Sequence, residues 1–110
     1  MRKSIIAILL SIVATLPIAC SSHPSKPGPQ THAVIIQGFK FQPADLTVNA
    51  GDTIEFTNQD MLPHNAVSQG KFDSGKLETG KSSKYVATER GVFDYICTYH
   101  PNMKGRLVVR

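Results

Sequence analysis

From His32 to Arg110 the apolar residues come in short runs, or alternate with polar ones, and turn-forming residues separate them. This pattern admits strands and leaves no room for a helix of useful length. Ala33 to Ile36 is an apolar, mostly β-branched run. Leu46 and Val48 flank Thr47 and run into Asn49-Ala50-Gly51-Asp52, a turn signal. Ile54 and Phe56 share one face of segment 53–57, with Thr53, Glu55 and Thr57 on the other. Residues 65–68 and 83–88 read as further short strands. Segment 91–97 (GVFDYIC) puts Phe93, Tyr95 and Cys97 on one face, and 106–110 closes the chain. Residues 69–82 read as loop with at most one brief strand. The expectation is an all-β domain of about seven to eight strands, closed as a sandwich or barrel.

The chain start has another character. Arg2 and Lys3 precede the apolar run Ile5 to Val13, and Ala14 to Ala19 is a region of mostly small or uncharged residues. The run is too short to span a bilayer, so residues 1–19 are expected to be a removable export signal. Residues 20–31 then form a Pro/Ser-rich linker, and 32–110 the folded domain. The stretch 21–31 (SSHPSKPGPQT) has three prolines and no apolar side chain to pack. Extended at about 3.1 Å per residue, it reaches about 35 Å.

Only two cysteines are present, Cys20 and Cys97. In an exported protein two cysteines ordinarily pair. Here Cys20 sits at the signal boundary before Ser21 and Ser22, and resembles the lipid-modified cysteine of bacterial lipoproteins. Pro17 stands where such signals usually carry Leu. The expected location is the periplasm or cell envelope, with a lipid anchor at Cys20 as the candidate tether.

The net charge of +4 is partly the signal's own, since Arg2 and Lys3 leave with it. A remaining charge this small argues against nucleic acid as a partner. No basic run is interleaved with aromatics.

The chemistry is concentrated in Cys97-Thr98-Tyr99-His100-Pro101-Asn102-Met103. A thiolate, an imidazole and a thioether fall within seven residues. A tight loop after a strand brings them to one point. His64, in the turn Pro63-His64-Asn65, supplies a second imidazole. Two imidazoles and a thiolate with a weak axial thioether are the ligand set of blue-copper sites. Soft sulfur suits Cu(I) and imidazole suits both oxidation states, so little rearrangement accompanies a change of charge. All four positions are filled, which leaves no place for a substrate, and no enzyme is expected.

The segments FQPADLTVNAGDTIEFTN, MLPHNAV and GVFDYICTYHPNMKGRLVV resemble those of the cupredoxins, most closely of the amicyanin and plastocyanin type. The resemblance covers residues 35–110. The two-residue gap between His100 and Met103 resembles amicyanin. The resemblance implies a Greek-key β-sandwich with one copper per chain at one end. It implies ligation by His64 and His100 through Nδ1, by Cys97 through Sγ, and axially by Met103 through Sδ. It also implies that Asn65 points its N–H at the Cys97 sulfur and ties two ligand loops together. Amicyanins commonly have Pro before the second His, where this chain has Tyr99. Tyr99 retains an N–H, and the expectation is a second hydrogen bond to the Cys97 thiolate.

By the same resemblance the His100 ring edge reaches the surface, among Met61, Leu62, Pro63, Pro101 and Asn102. Such a patch suits brief docking of redox partners, a donor and an acceptor such as a c-type cytochrome or a dehydrogenase. Pro101 and the short loop suggest that His100 leaves Cu(I) and takes a proton, as in amicyanin-like loops. Lys71, Lys76, Lys81, Lys84 and Lys104 read either as a rim that steers acidic partners or as ordinary solvated lysines. His23 and His32 are read as non-ligands, and the protein as a monomer.

Other readings are weaker. A copper carrier or resistance protein without redox work tends to a Met/His-rich open site, and this chain has three Met, one of them the initiator. Cys and His suit zinc, but a Met ligand does not. A c-type haem needs C-x-x-C-H, which is absent.

Overall fold

The computed structural model describes Ser4, residues 11–18 and residues 28–110. Most of the expected signal segment, Cys20 and the linker up to residue 27 lie outside the described residues. Among the described residues no helix is long and apolar enough to cross a membrane.

Nine strands build the domain: β1 (Thr31–Gln37), β2 (Lys40–Gln42), β3 (Asp45–Val48), β4 (Thr53–Asn58), β5 (Val67–Ser68), β6 (Phe72–Asp73), β7 (Ser82–Val86), β8 (Gly91–Cys97) and β9 (His100–Val109). They form two sheets, ordered β2-β1-β4-β7 and β3-β9-β8-β5-β6. β1 runs parallel to β4 and β3 parallel to β9, while the other pairs are antiparallel. This is the expected all-β sandwich, with more strands than the alternation showed.

The differences have local causes. β1 begins at Thr31, inside the expected linker, because Thr31 already pairs with Thr53. β2 is three residues long, with Phe41 buried between exposed Lys40 and Gln42, too short to display a period. β6 is the brief strand within 69–82. β9 starts at His100 rather than at Arg106, because only Thr98 and Tyr99 separate it from β8.

Alternation decides the core. Ile54 and Phe56 of β4 face inward against Val34 and Ile36 of β1, all at most 1% exposed. From the opposite sheet, Phe93, Tyr95 and Cys97 of β8 and Leu107 and Val109 of β9 face them. Burial of each such side chain contributes roughly 1.5–3 kcal/mol. Tyr95 is the hub, with its ring 4.8 Å from Phe41, 5.5 Å from Phe56 and 5.7 Å from Phe72. Its cross-strand partner is Gly105. A methyl group there would lie 2.1 Å from Tyr95 Cζ, so the ring occupies the space that any other residue would need.

Candidate metal centre

Three connections meet at one end of the sandwich: the β1–β2 turn, the β4–β5 loop and the β8–β9 turn. Each brings part of a site.

Cys97 ends β8 on its buried face and is fully buried. It pairs with His100 across the two-residue turn Thr98–Tyr99. The ladder then slips: Ile96 pairs with Lys104, so Pro101, Asn102 and Met103 have no partners on β8. This bulge re-aims the strand. It leaves His100 half-buried at the rim and turns Met103 inward, 4% exposed. His100 and Met103 line one open cleft of about 430 Å³ with Phe39, Tyr99, Pro101 and Asn102.

His64 comes from the β4–β5 loop and is fully buried. Its backbone is bridged to Leu77 in both directions, N–H to carbonyl at 3.1 and 2.8 Å. Asn58 braces the same loop. Its side-chain amide donates to the carbonyls of Leu62 and Leu77, each at 2.8 Å, and its Oδ1 accepts from Asp60 N–H at 2.9 Å.

The side chains meet in pairs. His64 Nδ1 lies 3.7 Å from Cys97 Sγ. The His64 and His100 ring centroids are 5.0 Å apart. Asn65 N–H points at Cys97 Sγ from 3.5 Å. The Asn65 side chain grips Thr98 twice: Oδ1 accepts from Thr98 N–H and Nδ2 donates to Thr98 Oγ1, both at 2.7 Å. Among the described residues, no three His, Cys, Asp or Glu side chains stand close enough together to hold a metal ion as they are placed, and the close pair is His64 with Cys97.

One expectation needs correction. Cys97 Sγ has two polar neighbours, Asn65 N–H and His64 Nδ1, and Tyr99 N–H is not a third. Tyr99 is the second residue of the turn between Cys97 and His100, and its side chain is half exposed.

Two residues at the site escaped sequence reasoning. Asp60 Oδ2 lies 2.8 Å from His64 Nε2 and accepts from Phe39 N–H at 3.0 Å, while Oδ1 accepts from Gly38 N–H at 2.7 Å. Burial works against the ionised form, but the Phe39 and Gly38 N–H groups and the His64 ring outweigh it and hold the Asp60 carboxyl below its usual range. Phe39 is the second. Gly38 and Phe39 are the central residues of the β1–β2 turn, at φ +63° and +56°. Positive φ at both positions is the signature of a type I′ turn, which ordinarily wants Gly or Asn. Phe in that conformation costs about 1–3 kcal/mol. The two hydrogen bonds to Asp60 and the placement of the ring offset it. The Phe39 ring stands edge-on to His64 at 5.3 Å and to His100 at 5.0 Å.

The rim lysines are less free than their sequence suggested. Lys71 pairs with Glu89, Lys76 with Glu78 and Lys84 with Glu55, at 3.0, 3.0 and 3.6 Å. Among the described residues Lys81 and Lys104 have no ion pair. Met61 is 88% exposed, and Leu62 is half exposed beside it.

The family model for the cupredoxin-like domain matches residues 7–109. The chain belongs to the cupredoxin family. It is 35% identical over 86 residues to amicyanin-alpha of Methylorubrum extorquens, covering 69% of each chain. It is 30% identical over 128 residues to a plastocyanin of a Synechococcus species, covering 97% of this chain and 93% of that one. Among solved structures, an amicyanin variant in its Cu(I) form superimposes with a TM-score of 0.68 at 29% identity, covering 73% of this chain and 82% of the other. A purple cupredoxin from Nitrosopumilus maritimus gives 0.65 at 30% identity, with 71% and 98% covered. Cupredoxins of the amicyanin and plastocyanin type carry electrons on one copper per chain and are not enzymes.

The donor set here fits such an ion. Metal–nitrogen and metal–sulfur bonds of about 2.1 and 2.3 Å can together span the 3.7 Å between His64 Nδ1 and Cys97 Sγ. Soft sulfur from Cys97 and Met103 with two imidazoles matches the preferences of copper.

Proposed function

We propose that this chain is an exported one-electron carrier whose copper would be held by His64 Nδ1, Cys97 Sγ, His100 Nδ1 and Met103 Sδ. The observation that carries the reading is the buried approach of His64 Nδ1 to Cys97 Sγ, with His100 and Met103 brought alongside by the bulge after Cys97. Copper bound there supplies a one-electron couple between Cu(I) and Cu(II).

The protein's own contribution is rigidity. Thr98 is held twice by Asn65, His64 is bridged to Leu77, and Asn58 braces the loop between them. Ligands fixed by the fold need not move when the charge changes. Cys97 and His64 are fully buried, so water is kept from the thiolate. His100 is only half-buried, and as a ligand it would offer the electron a path to the surface. Met61, Leu62, Pro63, Pro101 and Asn102 form the mostly apolar face on which a donor or acceptor protein docks. With three rim lysines already paired, this apolar face does more for recognition than charge does.

Residues 1–19 are the export signal, and the linker from Cys20 ends before Thr31, where the folded domain begins; the protein is located in the periplasm or cell envelope and tethered by a lipid at Cys20. Mass spectrometry of the mature N-terminus tests the tether: a diacylglycerol adduct on Cys20 is expected, and an unmodified terminus contradicts it. For the metal, Cu(II) added to the purified domain is expected to give an intense band at about 600 nm from a thiolate–Cu(II) bond. Cys97→Ser should abolish it.

A further inference from the structure

We propose that Asp60 is a positioning residue of the metal centre. Its carboxylate selects the His64 tautomer that leaves Nδ1 free toward Cys97, and it pins the turn that lays Phe39 against both imidazoles.

The tautomer follows from the partners. Asp60 Oδ2 is 2.8 Å from His64 Nε2. An ionised carboxylate has only lone pairs to offer. A bare Nε2 lone pair facing it would be repelled, so Nε2 carries the hydrogen and donates it. Nδ1 then keeps its lone pair, and Nδ1 is the nitrogen that lies 3.7 Å from Cys97 Sγ. Carboxylates bound to the far nitrogen of a metal-ligating histidine fix the ring and raise its basicity. A more basic His64 favours the higher charge, so Asp60 is expected to hold the potential down.

The same carboxylate reaches the neighbouring turn. Gly38 and Phe39 N–H groups both donate to it, at 2.7 and 3.0 Å. Without those bonds Phe39 has little reason to remain at φ +56°. With them, its ring stays within about 5 Å of both imidazoles (5.3 and 5.0 Å) and narrows the approach to the site. Asp60 is itself fixed, since its N–H is bound by Asn58 and its carbonyl accepts from Thr79 Oγ1 at 2.7 Å.

The inference rests on His64 as a ligand, and the test separates the two. The metal-free full domain is labelled with ¹⁵N-histidine and its ring nitrogens are read by NMR at about pH 8, above the ordinary imidazole range. Wild type should show His64 in the Nε2–H form, and Asp60→Asn should shift the population toward Nδ1–H. Phe39→Ala disturbs the same turn but keeps the carboxylate, and should leave the tautomer as in wild type. In the copper form, Asp60→Asn should weaken Cu(II) relative to Cu(I) binding about tenfold, a rise of about 59 mV for one electron. An Nδ1–H tautomer in wild type would overturn the inference. So would an Asp60→Asn protein whose tautomer and potential match wild type, or a Phe39→Ala protein that loses the tautomer as fully as Asp60→Asn. A wild-type protein with no blue band would sink the copper reading alone, since the NMR arm needs no metal.

Discussion

Asn65 and Thr98 clasp each other across the copper end of the sandwich, side chain to backbone in one direction and side chain to side chain in the other, both at 2.7 Å. The clasp joins the loop that carries His64 to the turn that carries Cys97 and His100. It also aims Asn65 N–H at the Cys97 sulfur. Replacing Asn65 with Ala leaves that N–H in the chain but removes what aims it, and strands the Thr98 N–H. The expected cost is about 1–3 kcal/mol of metal-free stability, read by urea unfolding, with a lower reduction potential as the sulfur loses its donor. Unchanged stability would show that the two loops are held by other means.

Tyr95 presents the opposite case. Its hydroxyl is buried and has no hydrogen-bond partner among the described residues. Burial pushes its ionisation well above the usual tyrosine range, so it stays neutral. Tyr95→Phe removes a buried polar atom that gains nothing from the fold. Stability should be unchanged or rise by about 1 kcal/mol, measured by denaturant midpoint. A loss of that size would reveal a partner for the hydroxyl.

Gly105→Ala probes the same ring from below. The new methyl would overlap Tyr95 Cζ, and the ring is boxed in by Phe41, Phe56 and Phe72. Overpacking of this kind costs about 1–3 kcal/mol or more. Because Tyr95 is two residues from Cys97 on β8, the blue band should shift as well. A stable variant with an unchanged spectrum would mean that the ring can move freely.

Acid stability should depend on Asp52, at the far end of the domain. The N–H of Gln30, the His32 ring and the N–H of Asn49 lower its carboxyl from 3.8 to about 2. The folded value lies below the unfolded one, so its contribution is complete above pH 3.8 and fades as the pH falls toward 2. Asp52→Asn should therefore lose stability at neutral pH and show a flatter acid limb between those values. An acid limb as steep as wild type would assign the effect to other carboxylates.

Much of this was legible in the sequence. Strict alternation in 53–57 and 91–97 named the inward faces, because a period of two needs only a few residues to be seen. The family was legible because a Cys, a His and a Met within seven residues, with a second His upstream, are rare in combination. β2 was not, since a strand of three residues shows no period, and β6, of two residues, could be read only as a brief strand without a place in 69–82. Asp60 was not, because its role is made by a fold that brings the β1–β2 turn to it across the sheet, twenty-one residues from Phe39. Spacing of four from His64 has no meaning outside a helix. Phe39 read as an ordinary apolar residue after Gly38, and nothing local marks its positive φ. Tyr99 carries an N–H, but sequence does not say where a two-residue turn points it, and the polar groups at the Cys97 sulfur are Asn65 N–H and His64 Nδ1.

The central claim is that His64, Cys97, His100 and Met103 form one type 1 copper centre. Its most direct test is optical titration of the purified domain with Cu(II), alongside Cys97→Ser. The account predicts an intense band at about 600 nm, saturating at one copper per chain and absent in the variant. A colourless complex, or a band that persists without Cys97, would contradict it.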